Sequence, residues 1–79
     1  MRMLRVGDIR CLTNGESLFD HLDGYLAVYS YKVTTIREPR VEAVSMYHSD
    51  VVYWYRIDWF ETNSTVVPKV LILLFFPDE

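Results

Sequence analysis

Between Tyr25 and Phe76 the chain alternates stretches rich in β-branched and aromatic residues with short polar clusters, a spacing that predicts strands. Tyr25–Arg37 meets no breaker until Pro39, so a bend or bulge is expected within it. Val41–Tyr47, Val51–Phe60 and Val66–Phe76 follow, separated by His48-Ser49-Asp50 and Thr62-Asn63-Ser64-Thr65. Arg2–Val6 reads as one further short strand, stopped by Gly7-Asp8. Thr13-Asn14-Gly15-Glu16 has the spacing of a reciprocal capping box, and Leu18, Phe19 and Leu22 make an apolar stripe. Gly24 suits the left-handed position past a helix end. A helix over 14–23 is therefore predicted. The expected fold class is α+β, with one short N-terminal helix packed on an antiparallel sheet of three to five strands.

Cross-strand pairs test the register. With a loop over 48–50, Tyr47 faces Val51, Ser45 faces Tyr53, Ala43 faces Tyr55 and Val41 faces Ile57. The other face then pairs Met46 with Val52, Val44 with Trp54, Glu42 with Arg56 and Arg40 with Asp58. The two opposite-charge pairs favour this register. For the next hairpin, a loop over 62–65 sets Lys69 opposite Asp58, Leu73 beside Trp54 and Phe75 beside Val52. The odd-numbered face of Val51–Phe60 reads as core. The even-numbered face is polar at one end and apolar at the other, where Val44, Met46, Val52, Trp54, Leu73 and Phe75 meet.

That apolar face exceeds what one helix can cover. A helix is about 10–12 Å across, whereas four strands spaced ~4.8 Å apart span nearly twice that. The run Val70-Leu71-Ile72-Leu73-Leu74-Phe75-Phe76 is an aggregation hazard unless shielded. One solution folds the N-terminal segment over the second face. The other is association, and homodimerisation by sheet packing or edge pairing is its commonest symmetric form. The expected function is thus a non-catalytic protein-binding module, homodimeric, that occupies a partner protein's surface as an inhibitor or adaptor. Trp54, Met46, Val44, Leu73 and Phe75 are the anchors, with Arg56 and Glu42 as polar rim.

Composition narrows the classes. The 79 residues fit a single small domain over 1–79, and 51% hydrophobic residues exclude disorder. One cysteine excludes an intrachain disulfide scaffold. The net charge of −3, with dispersed basic residues, disfavours phosphate-driven binding of nucleic acid. Gly7, Asp8 and Arg10 interrupt any apolar core of a secretory signal, so a cytoplasmic location is expected. Val66–Phe76 is too short to span a membrane, and no membrane partner is expected.

Candidate chemistry is sparse. His21 lies between Asp20 and Asp23, but neighbouring helical positions point in different directions. His48, Ser49 and Asp50 share one loop and cannot form a triad. Cys11 near a helix start is a candidate thiolate, and a buried hydrophobe is the simpler reading. No metal-ligand spacing or phosphate-cradling glycine motif is present, and no cofactor is expected. Two alternatives follow. One is a small enzyme or enzyme subunit, its site assembled across a dimer near Cys11, His21 or His48. The other is an aromatic-face binder of single-stranded nucleic acid, for which Lys32 is the nearest base to the Tyr25, Tyr29 and Tyr31 series.

Overall fold

The computed structural model describes residues 4–21 and 24–79. Its sheet comprises β1 (Ile9–Leu12), β2 (Ser30–Arg37), β3 (Arg40–Ser45), β4 (Val52–Arg56) and β5 (Ser64–Val66), ordered β4-β3-β2-β1-β5 with every neighbouring pair antiparallel. A 3-10 helix spans Leu18–His21, and the α-helices are α1 (Gly24–Tyr29), α2 (Ile57–Asn63) and α3 (Lys69–Phe75). The α+β class and antiparallel sheet are thus present, but among the described residues the helical part is a 3-10 helix and three short α-helices rather than one N-terminal helix.

Local chemistry explains where the elements depart from expectation. In place of the α-helix expected over 14–23, Asn14 and Gly15 take positive φ (54° and 83°) and turn the chain, and the 3-10 helix follows at Leu18–His21. Thr13 does not cap that turn with its hydroxyl, which is hydrogen-bonded to the Thr65 hydroxyl at 3.0 Å; its carbonyl accepts the Glu16 N–H instead. Gly24 opens α1 rather than closing a helix, while Leu22 and Asp23 lie outside the described residues. Leu4–Val6 is not a strand, and Arg2 and Met3 also lie outside the described residues.

The segment Tyr25–Arg37 divides into α1 and β2, and the irregularity expected in it sits between Val33 and Thr35. In the β3–β4 hairpin Val41 pairs with Tyr55, Ala43 with Tyr53 and Glu42 with Trp54, a shift of two residues from the charge-paired register. The turn causes the shift. Ser45 Oγ accepts the N–H groups of Tyr47 and His48 at 3.1 and 3.0 Å, so the chain leaves β3 before Met46. Exposed charge pairs worth a few tenths of a kcal/mol do not outweigh such a turn. An even shift keeps each residue on its expected face.

Of the last two strands expected, Val51–Phe60 is strand over Val52–Arg56 and helical from Ile57, and Val66–Phe76 is helical over Lys69–Phe75. Ile57 and Phe60 recur at helical spacing and are both buried, and at the end of α2 Arg10 Nη2 donates to the Glu61 carbonyl and the Thr13 and Asn14 N–H groups to that of Asn63. Thr62 Oγ1 donates to the Asp58 carbonyl, Asn63 Nδ2 to that of Trp59, and the Ser64 hydroxyl to that of Phe60. Pro68 starts α3, its carbonyl accepting from Leu71 and Ile72. Lys69–Phe75 therefore satisfies its backbone locally instead of pairing with β4.

Register assigns the two faces of the sheet. Tyr31, Val33, Val41 and Ala43 share the first face and pack with Ile57 and Phe60 of α2 and with Leu4. Ile9 and Cys11 share the second face and pack with Leu18, Leu26 of α1 and Val67. Leu71, Ile72, Phe75 and Phe76 close over that second cluster. Arg10 crosses the first face, with Nε donating to Ser64 Oγ at 2.7 Å and Nη2 to the Ser64 carbonyl at 3.0 Å.

Candidate functional site

The β4 strand is an edge of the sheet, and its hydrogen-bond phase is fixed at both ends. Ser45 N–H donates to the Val51 carbonyl at 3.2 Å, and Ile57 N–H to the Pro39 carbonyl at 2.9 Å. Alternation along an antiparallel pair then turns the backbone groups of Tyr53 and Tyr55 toward β3. Those of Val52, Trp54 and Arg56 point away from the sheet. Among the described residues β4 has a neighbouring strand on the β3 side alone, so these three N–H groups face no sheet partner.

The side chains of this edge are also open. Val52 is 48% exposed, Tyr53 41% and Trp54 50%. On the first face an aromatic series runs from Tyr53 through Tyr55 to Trp59, with ring centroids 6.0 and 5.4 Å apart in stacked geometry. Tyr55 also stacks on buried Phe60 at 5.1 Å. Burial and neighbouring Tyr31 push the Tyr55 hydroxyl well above the ordinary tyrosine range.

On the second face Trp54 stands beside a row of arginines. Arg37 pairs with Arg40, and Arg40 with Arg56, across three adjacent strands. Like charges set directly opposite are unfavourable. Arg56 Nε is 3.4 Å from Asp58 Oδ1, an exposed pair that holds the Asp58 carboxyl low together with the Trp59 N–H, the larger cause. Arg37, Glu38, Pro39, Arg40 and Trp54 line an open groove.

Of the residues singled out from sequence, the structure brings Trp54 and Val44 together on the bare half of the second face. Met46 is half-buried against the second core cluster. Leu73 is on α3 and 58% exposed, so it is not beside Trp54 on a neighbouring strand. Phe75 packs into the second cluster rather than beside Val52. Arg56 faces Arg40, not Glu42, and Glu42 faces Trp54. The Glu42 carboxylate accepts from the Thr34 and Thr35 hydroxyls at 2.8 and 3.2 Å, which explains a carboxylate on that face without an arginine partner.

Cys11 lies in β1, and His48 in the loop between β3 and β4. Cys11 is fully buried, and burial pushes its thiol up. His48 is exposed and set edge-on against Tyr47 at 4.4 Å. The His21 side chain lies outside the described part. No cluster of three metal-ligating side chains occurs among the described residues, and no helix there is long and apolar enough to cross a membrane.

Two features were missed from sequence: the open edge of β4 and the arginine row. The first required knowing that Val66–Phe76 does not pair with β4. Pro68 was the available signal, since proline opens helices more readily than it enters strands. Comparison with known protein families, curated proteins and solved structures gives no significant match.

Proposed function

We propose that this chain is a non-catalytic protein-binding module that takes an extended segment of a partner protein along β4. The observation that carries this reading is the row of outward backbone groups at Val52, Trp54 and Arg56, flanked by exposed apolar side chains. Edge strands of natural sheets are normally shortened, charged or covered. This one spans five residues with a single charge. Strand addition draws affinity from main-chain hydrogen bonds and specificity from alternate side chains. Trp54 would anchor the partner on the second face and Tyr53 on the first.

Proline at position 56 tests the edge. Arg56 has φ −69°, matching the proline ring, and its N–H points outward, so Arg56→Pro blocks the edge while sparing the β3 ladder. Panning a displayed library of ten-residue peptides should recover β-prone sequences that bind the native chain and lose at least tenfold in affinity against Arg56→Pro. No enrichment, or enrichment indifferent to the proline, removes the reading.

Trp54 beside Arg37 and Arg40 favours a second reading, single-stranded nucleic acid stacked on the indole. Titration with an oligothymidylate at low salt, where phosphate contacts are strongest, would quench Trp54 fluorescence. An unchanged signal sinks it.

A further inference from the structure

The second face of the sheet is only half covered, and α3, which covers it together with α1, is itself apolar on its outer side. Leu71, Ile72 and Phe75 of α3 turn inward, whereas Val70, Leu73 and Leu74 turn outward and are 71%, 58% and 70% exposed. These three lie at i, i+3 and i+4, one continuous stripe. On the same side of the sheet, β3 and β4 present exposed Val52 and Trp54 beside half-buried Val44.

Dimensions match the two surfaces. Five strands at ~4.8 Å spacing span about 19 Å, and one helix occupies about 10 Å of that width. The bare part is thus close to one helix wide. It also lies at the right height, since Val44 is level with Lys32 and Lys32 with Ile9, against which α3 packs. Lys32 marks the boundary and is paired with Glu79 at 2.9 Å. Neither the stripe nor the Val44–Val52–Trp54 surface carries a charge of its own; beside it Glu42 is held by two threonines, and Arg40 and Arg56 flank Trp54 at the rim.

We infer that a second copy of this chain covers this face, each protomer laying the outer stripe of its α3 on the bare β3–β4 half of the other. The two-fold axis runs along the strands, midway between the facing sheets. The two α3 helices then lie side by side in one layer, each packed on its own sheet inside and the partner's sheet outside. Burying most of the stripe and half of Trp54 removes roughly 500 Å² per copy, about 1,000 Å² in all, the size at which specific interfaces begin. This contact shares the Trp54 side chain with strand addition but leaves the outward backbone groups of both β4 edges open, so the two are told apart at the edge itself.

Light scattering over a dilution series from about 1 to about 300 μM tests it, spanning the affinities a contact of this size supports. The native chain should form dimers. Leu74→Glu and Trp54→Glu should each weaken dimerisation at least tenfold, with far-UV circular dichroism unchanged because both sites are exposed. Mixing Leu74→Glu with Trp54→Lys should restore a heterodimer, since one reciprocal contact is intact and the other pairs opposite charges. Arg56→Pro should leave the dimer unaffected. The inference is overturned by a monomer at every concentration, by a dimer indifferent to either glutamate, or by a dimer that Arg56→Pro dissolves. Failure of peptide binding at β4 alone leaves it standing.

Discussion

Arg10 is the most informative place to perturb the fold. It is 5% exposed, yet it carries a guanidinium that joins β1 to the α2–β5 junction. Nε reaches Ser64 Oγ at 2.7 Å, Nη2 reaches the carbonyls of Ser64 and Glu61 at 3.0 and 3.3 Å, and the group lies 6.0 Å from the centre of the Phe60 ring. Burial lowers its pKa, while Asp8 and Glu61 act to raise it. Hydrogen bonds from a charged donor contribute ~1.5–3 kcal/mol each, but desolvating the ion costs several kcal/mol in return. The net worth of the charge is therefore small, and most of what Arg10 supplies is volume. Arg10→Met, which fills the space, should cost about 1–2 kcal/mol. Arg10→Ala adds a cavity above Phe60 and should cost about 3–5 kcal/mol. Against a total of roughly 4–12 kcal/mol for a chain this long, the alanine variant is near the limit of folding. Urea denaturation measures both, and at a slope near ~1 kcal/mol/M the midpoints should separate by about 2 M. If methionine costs as much as alanine, the ionic hydrogen bonds dominate and the reasoning is wrong.

The raised hydroxyls of Tyr31 and Tyr55 carry a pH dependence with a definite sign. The folded chain keeps protons that the unfolded chain releases near ~10, so stability is full below that pH and falls as pH rises above it. Urea midpoints should be level from neutrality to about pH 9 and then decline, and Tyr55→Phe should flatten the decline; an unchanged slope would count against burial as the cause. At Gly15, φ is +83° and nothing lies within 4 Å of an added Cβ, so Gly15→Ala tests backbone strain alone. It should lower stability by about 1–2 kcal/mol in the same assay. A neutral result would mean that the 14–16 turn can relax.

For β3 and β4, the alternation of residue types already told which side chains share a face. Alternation along Val41–Ser45 and Val52–Arg56 survived a register shift of two, because an even slip keeps every side chain on its side of the sheet. The sequence also determined that one short helix cannot cover so apolar a sheet, and Trp54 and Val44 do lie on the half left bare. Tertiary structure alone decided the rest. Periodicity does not separate an all-apolar run of seven from a buried helix, and α3 forms because Pro68 starts it and the second core cluster receives Leu71, Ile72 and Phe75. That choice denies β4 its outer neighbour, so Leu73 and Phe75 leave Trp54, and Val52, Trp54 and Arg56 keep their backbone groups open. The arginine row has the same origin: Arg37, Arg40 and Arg56 are far apart along the chain and adjacent only once three strands are in register. Strand pairing and helix docking are long-range contacts, and their balance is set by the whole core rather than by any local pattern.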